Sequence, residues 1–254
     1  MKHKLFSGAC TALVTPFSDG KINYSMLEKL LARQIDAGIR TIVLAGTTGE
    51  SPTLTDSEKL ELFARAKAFT GEDAMIIAGT GSNSTLHTVT LSVAAEQTGA
   101  DALLIVSPYY NKATADGLIT HYSAIAEAVS IPMILYNVPG RTGLDIPVSV
   151  YHTLSRIPKI AGVKEASADI TKITRIKNSC APGFAVWSGN DDLAVPAISL
   201  GGSGVISVAS NICPVEVKAG LTPRWTLIWT QPPICSCSSS PFAIFCSVKS
   251  IRSP

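Results

Sequence analysis

The chain has 254 residues, of which 46% are hydrophobic and 16% charged, with a formal net charge of +2. That length suits one large domain or two small ones, and the apolar fraction is ample for a substantial core. The small net charge and the few Lys/Arg clusters give no reason to expect a nucleic-acid or membrane partner, and no apolar run is long enough to span a bilayer.

The start, Met1-Lys2-His3-Lys4 followed by Leu5 to Val14, shares a basic head and an apolar stretch with signal peptides. Thr15-Pro16-Phe17-Ser18-Asp19-Gly20 reads instead as a turn after a strand, with no small-residue cleavage site following, so the expected location is cytoplasmic. The six cysteines form no zinc spacing, since even Cys235 and Cys237 are separated by a single residue. The four histidines, His3, His87, His121 and His152, are scattered, so no metal is expected.

From Phe6 onward short apolar runs alternate with amphipathic helical patterns, the signature of a parallel sheet. The predicted strands are 8–15, 41–45, 75–79, 102–106, 133–136, 160–164, 184–188 and 204–208. Between them, Leu27, Leu30, Leu31 and Ile35 form one helical stripe, Thr55-Asp56-Ser57-Glu58 is a capping box, and Gly71 and Gly99 fall at helix C-termini. Eight such units in about 210 residues fit a (β/α)₈ TIM barrel better than a doubly wound sheet. No Gly-x-Gly-x-x-Gly follows the first strand, and Gly201-Gly202-Ser203-Gly204 precedes a strand and reads as a tight turn.

Chemistry in such a barrel gathers at the carboxyl ends of the strands. Those ends read Gly46-Thr47-Thr48-Gly49-Glu50, Ser107-Pro108-Tyr109-Tyr110-Asn111, Tyr136-Asn137-Val138-Pro139-Gly140-Arg141-Thr142-Gly143, Lys164, and Gly189-Asn190-Asp191-Asp192. Lys164 closes the apolar run Ile160 to Val163, where loss of water disfavours an ammonium and leaves free amine to attack a carbonyl. Glu165, its strand neighbour, should face the other way. Each group alone is ordinary: two threonines between glycines make a turn, a tyrosine at a strand end is half-buried core, and an arginine caps a loop. Together they supply an amine nucleophile, a phenol to pass protons, hydroxyl donors and a guanidinium suited to carboxylates, a set that fits Schiff-base chemistry on keto acids.

Gly46-Thr47-Thr48-Gly49-Glu50, Tyr136-Asn137-Val138-Pro139 and Gly162-Val163-Lys164-Glu165 resemble the pyruvate-dependent lyases and aldolases headed by N-acetylneuraminate lyase. Arg141-Thr142-Gly143 after Pro139-Gly140 resembles the dihydrodipicolinate synthase family within them, and the likeness runs from about Phe6 to Ala219. The resemblance implies that Lys164 forms a Schiff base with pyruvate, whose enamine adds to L-aspartate semialdehyde, with no cofactor. It implies Tyr136 as proton carrier through Thr47 and Tyr110, Thr48 on the pyruvate carboxylate, Arg141 on the aldehyde's carboxylate, and Gly189 and Ile206 lining the pocket. It further implies a homotetramer built from tight dimers, with Tyr110 reaching in from a neighbouring subunit. Ser51, Asn83 and Tyr109 fall where a lysine-effector site would lie. His87 and Lys59 stand there in place of the glutamate and histidine of lysine-sensitive members, so feedback by lysine should be weak or absent. Other readings are another pyruvate-dependent aldolase, sharing only the pyruvate half of the site, and a catalytically silent barrel with a binding or assembly role.

Residues 1–220 are read as the catalytic barrel and 221–254 as an atypical tail. The tail holds no acidic residue, and Pro223, Pro232, Pro233 and Pro241 would not permit the eighth helix and helical extension that relatives carry there, so these are expected to be missing or replaced. Codons can be chosen for Gly220 to Trp229 that, read two bases later, give Ala-Asp-Ala-Ala-Leu-Asp-Ala-Asp-Leu, a helix-forming run. A frameshift near Gly220 is therefore expected in the coding sequence, the alternative being a genuine divergent tail. Resequencing the DNA across Gly220 should restore a helical reading frame, and an unchanged sequence would make the tail genuine.

Overall fold

The structure, a computed structural model, describes residues 5–221. Eight strands, β1 (Gly8–Ala12), β2 (Thr41–Leu44), β3 (Met75–Gly79), β4 (Ala102–Val106), β5 (Met133–Asn137), β6 (Ile160–Glu165), β7 (Ala185–Ser188) and β8 (Gly204–Ser207), pair in parallel and close into a barrel, with β1 hydrogen-bonded to both β2 and β8. The helices α1 (Tyr24–Asp36), α2 (Asp56–Thr70), α3 (Thr85–Gln97), α4 (Ala115–Ala128), α5 (Val148–Leu154), α6 (Ile170–Ser179), α7 (Ala194–Ser199) and α8 (Pro214–Gly220) each follow one strand. This is the (β/α)₈ architecture the alternation predicts, and it corrects one expectation: the eighth helix is present over Pro214–Gly220, because the prolines expected to prevent it begin only at Pro223, beyond the described residues. An antiparallel ribbon, Phe17–Ser18 with Lys21–Ile22, follows β1.

Local chemistry sets the helix ends. Asn23 caps α1 by accepting from the Met26 amide at 3.0 Å. The capping box forms on α2, with the Thr55 hydroxyl taking the Glu58 amide at 3.3 Å and the Glu58 carboxylate taking the Thr55 amide at 2.8 Å. Gly71 caps the end of α2, and Gly99 lies one residue beyond the cap of α3. Leu27 and Leu31 of α1 are buried, with Leu30 and Ile35 packed beside them, so the predicted stripe is the face α1 lays on the barrel.

Because strand side chains alternate, the sheet buries two separate sets. Ile42, Ile76, Leu103, Leu135, Val163 and Val186 point outward to the helices. Val43, Ile77, Leu104, Ile134, Trp187 and Ile206 form the inner set that fills the lumen. Each such aliphatic side chain withdrawn from water contributes about 2 kcal/mol before the entropy of ordering is counted. Toward the amino end Phe6 stacks on Trp187 with ring centroids 4.6 Å apart. Gly162 makes room for that ring, since a Cβ there would lie 2.1 Å from the Ala185 carbonyl oxygen and 2.8 Å from Trp187 Cζ3.

Strand ends differ from the sequence expectation by one residue at β2, β7 and β8, and at β1, β5 and β6 for definite reasons. β1 stops at Ala12 because the Val14 amide turns to the Asn211 side chain at 3.1 Å and the Thr15 hydroxyl donates to the Gly49 carbonyl at 2.7 Å. β5 and β6 each run one residue longer, because Asn137 pairs with Glu165 in register. After β8, a 3-10 turn at Ala209–Asn211 leads into α8, whose Val217 packs with Ala194, Val205 and Ala209. Of the expected tail over 221–254 only Leu221, the C-cap of α8, is described, and the rest, with the expected frameshift, lies outside the described residues.

Candidate active site

β5 and β6 place Tyr136 directly opposite Lys164 in the ladder. Alternation turns both inward, so Lys164 Nζ lies 4.4 Å from the centroid of the Tyr136 ring. Lys164 is 4% exposed and Tyr136 6%. An amine against an aromatic face in so dry a place has weak competition from water for either its lone pair or its proton.

One more expected residue meets Lys164, and another shares the lumen with Tyr136. Gly189 follows β7, and a Cβ there would fall 3.2 Å from Lys164 Cε and 2.6 Å from Ala166 Cβ, so the lysine stem runs through space that only glycine leaves open. Ile206 belongs to the same inner cluster as Tyr136. Cys10 of β1, which sequence reasoning passed over, is also fully buried there. Burial pushes its thiol up, and the charge of Lys164 pulls it partly back, which puts the two groups within electrostatic reach.

Above Tyr136 opens a cavity of about 710 Å³ whose wall includes Thr47, Tyr109, Tyr110 and Arg141. Lys164 sits behind that wall, against the face of Tyr136. The ionisable basic groups on the wall are Lys59, His87, Lys112 and Arg141, and no Asp or Glu lines it. Such a cavity favours small anions.

The loops that build the wall are fixed by backbone pairing. Gly46 O accepts from the Gly49 amide at 3.1 Å and the Ser51 amide at 3.2 Å, folding the Thr47-Thr48 turn over the end of β2. Thr47 is exposed at that turn, while Thr48 is half-buried and stands off the cavity wall. Arg141 rides on a short helical turn, Pro139–Thr142, closed by the Gly143 amide on Pro139 O at 2.9 Å. Tyr110 stands at the rim, 89% exposed, on backbone with φ of 71°.

Of the expected effector residues, Ser51 and Tyr109 lie on the same wall, next to Lys59 and His87. Asn83 does not, being tied to Asn111, whose amide donates to Asn83 O at 3.0 Å. Burial pushes the Lys59 ammonium down, and the Asp56 carboxylate 3.8 Å away counteracts it. The same carboxylate pairs with His87 Nε2 at 2.7 Å.

On the outer side of the wall lies a buried polar cluster the sequence did not announce. Asn137 Nδ2 donates to Asp145 at 2.7 Å and to Glu165 at 2.8 Å, and its Oδ1 accepts from the Ile146 amide at 3.0 Å. Glu165 also accepts from Tyr151 at 3.2 Å and from the Ser167 amide at 2.9 Å, with Lys172 Nζ 3.6 Å away. Lys172 pairs with Asp145 as well. The signal for it was available: both Asn137 and Glu165 directly follow an inward-facing site residue, so alternation sends each polar group to the helix side. Among the described residues no group of three or more His, Cys, Asp or Glu is placed to hold a metal ion.

The sequence model of the Dihydrodipicolinate synthetase family matches residues 5–222. The chain belongs to that family. It is 46% identical over 214 residues to a 4-hydroxy-tetrahydrodipicolinate synthase of Acetivibrio thermocellus, covering 84% of this chain and 73% of that one. Among solved members of the dihydrodipicolinate synthetase family, the chloride-inhibited enzyme of Acinetobacter baumannii in complex with pyruvate superposes with a TM-score of 0.83 at 42% identity, over 85% of this chain and 75% of that one. The enzyme of Cyanidioschyzon merolae with lysine bound gives 0.82 at 42% identity, over the same shares.

The contact at Gly189 gives a direct test of this geometry. In Gly189→Ala, the rate at which Lys164 forms a borohydride-reducible adduct with a small keto acid, read by intact mass, should fall at least about tenfold, equivalent to about 1.4 kcal/mol. An unchanged rate would show that the lysine does not depend on that space.

Proposed function

We propose that this chain condenses pyruvate with L-aspartate semialdehyde to 4-hydroxy-tetrahydrodipicolinate, working through a Schiff base on Lys164. The observation that carries the reading is the amine of Lys164, buried against the Tyr136 ring beneath a cavity whose wall carries Lys59, Lys112 and Arg141 and no carboxylate. The pyruvate complex of the Acinetobacter baumannii relative supports the first substrate, and the name shared with the Acetivibrio thermocellus relative supports the product.

The Lys164 amine adds to the keto carbon of pyruvate, and the resulting carbinolamine loses water to give an iminium. That cation draws a proton off the methyl carbon, leaving an enamine with no need of a cofactor as electron sink. The enamine carbon bonds to the aldehyde carbon of the second substrate, whose oxygen takes up a proton. The substrate's own amine then attacks the imine carbon, closes the ring and expels Lys164 as free amine. Tyr136 gives and takes these protons, relayed by Thr47 and Tyr110. Thr48, through its hydroxyl and backbone, holds the pyruvate carboxylate, and Gly189 and Ile206 shape the pocket around it. Arg141 holds the carboxylate of the aldehyde substrate.

In this reading the enzyme acts in the cytoplasm as a homotetramer, with Tyr110 entering the site of a neighbouring subunit. The near-complete exposure of its ring at the rim supports that role. Lys59 and His87 beside Ser51 and Tyr109 support weak lysine feedback, because a cationic effector finds no carboxylate on that wall and meets the Lys59 ammonium, which Asp56 offsets only in part.

Two measurements check the proposal. Borohydride reduction in the presence of pyruvate should leave one reduced pyruvate adduct on Lys164, and its absence would sink the Schiff-base reading. In Arg141→Leu that adduct should form within about threefold of the normal rate, while kcat/KM for L-aspartate semialdehyde falls at least about hundredfold, equivalent to about 2.7 kcal/mol. Equal losses in both would favour a different pyruvate-dependent aldolase. In a separate titration, millimolar lysine should inhibit less than about twofold, and tight inhibition would overturn the effector-site reading.

A further inference from the structure

The outer cluster is built more tightly than packing alone requires. Asn137 is fully buried and Glu165 is 4% exposed, yet every polar atom of both side chains is engaged. The bond between them spans two adjacent strands at the residues immediately after Tyr136 and Lys164. A trans peptide is planar, so fixing the side chain of one residue restricts how the Cα–Cβ bond of its neighbour can swing. The same Asn137 amide also holds Asp145 and Ile146, at the end of the segment that carries Arg141. One buried bridge thus connects the strand of the amine, the strand of the phenol and the turn of the guanidinium.

We propose that Glu165, acting through Asn137, is a positioning residue that sets the spacing of Lys164, Tyr136 and Arg141. This rests on the Schiff-base reading given above. It assigns Glu165 no contact with substrate, since the carboxylate lies on the helix side of the wall between Tyr151 of α5 and Lys172 of α6. Its contribution is geometric. A reacting group displaced by about 1 Å can lose roughly two orders of magnitude in rate, and strand ends at the mouth of a barrel have few ladder bonds left to resist such a shift. Past Lys164 the Ala166 amide on Asn137 O at 2.9 Å ties β6 to β5, and the Gly189 amide on Glu165 O at 2.8 Å ties β7 to β6. The side-chain bridge ties β5 to β6 a second time, beside the first of these bonds.

The test uses the full chain and three substitutions, with the rate of borohydride-trapped adduct at saturating pyruvate read per folded molecule beside the melting temperature. Glu165→Ala should slow trapping about a hundredfold. Glu165→Gln, whose remaining oxygen still accepts from Asn137 and the Ser167 amide, should recover to within about tenfold of wild type. Tyr151→Phe deletes a bond to the same carboxylate from the helix side, and it should lower the melting temperature while leaving trapping within about twofold. Trapping that is unchanged in all three, or that merely tracks melting temperature, would overturn the proposal and leave the cluster a packing feature. Should the alanine variant be recovered only as aggregate, Asn137→Ser, which cuts the bridge from β5, should show the same hundredfold loss, and a normal rate there would overturn it equally. A wild-type chain that gives no adduct would instead remove the Schiff-base reading and this inference with it.

Discussion

The in-register pairing of β5 with β6 is the constraint on which the rest of the site depends. It sets Tyr136 beside Lys164 inside the barrel and, one residue later, Asn137 beside Glu165 outside it. A slip of one residue would exchange the two pairs, exposing the amine to the helix layer and driving a carboxylate into the lumen. Register is held because each strand also carries apolar residues that must go to a definite side, Ile134 inward and Leu135 and Val163 outward. The hydrophobic core therefore determines the chemistry indirectly, by leaving only one alignment in which both faces are satisfied.

The burial of Lys164 and the openness of the cavity above it serve different ends. In the proposed reaction the amine attacks from a dry place against Tyr136, whereas charged substrates need a wet and cationic approach. The fold separates the two by depth. Phe6 and Trp187 fill the lumen at its amino end, and loops bearing Thr47, Tyr109 and Arg141 build the wall at the carboxyl end. Gly189 is where packing is tightest beside the amine, since the lysine stem and Ala166 leave no room there for a single methyl group.

Much of this was readable from the chain itself. The eight strands were legible because their apolar runs are short and bounded by turn residues, and Lys164, Tyr136, Thr47 and Arg141 were legible because each sits at a strand's carboxyl end. What stayed hidden depends on partners distant in sequence. The shortening of β1 is caused by Asn211, and no pattern around Val14 reveals that bond. Asn83 could not be known to turn toward Asn111. Glu165 was expected to face away from the amine, and it does, but what it faces comes from three separate segments around Asn137, Tyr151 and Lys172. Cys10 looked like any small apolar residue in a strand until closure of the barrel brought it near Lys164.

The seam between β1 and β8 joins the two extremes of the described chain, with Gly8 opposite Gly204 and Cys10 opposite Ile206. During synthesis on a ribosome, β1 emerges first and waits for a neighbour that is translated last. Until then the nascent sheet is an open ribbon with two bare edges, and loop-closure entropy opposes its completion. The lumen that shelters the amine comes into being only when β8 arrives, so the Lys164 side chain stays solvated until then and loses its water when the ring of strands shuts.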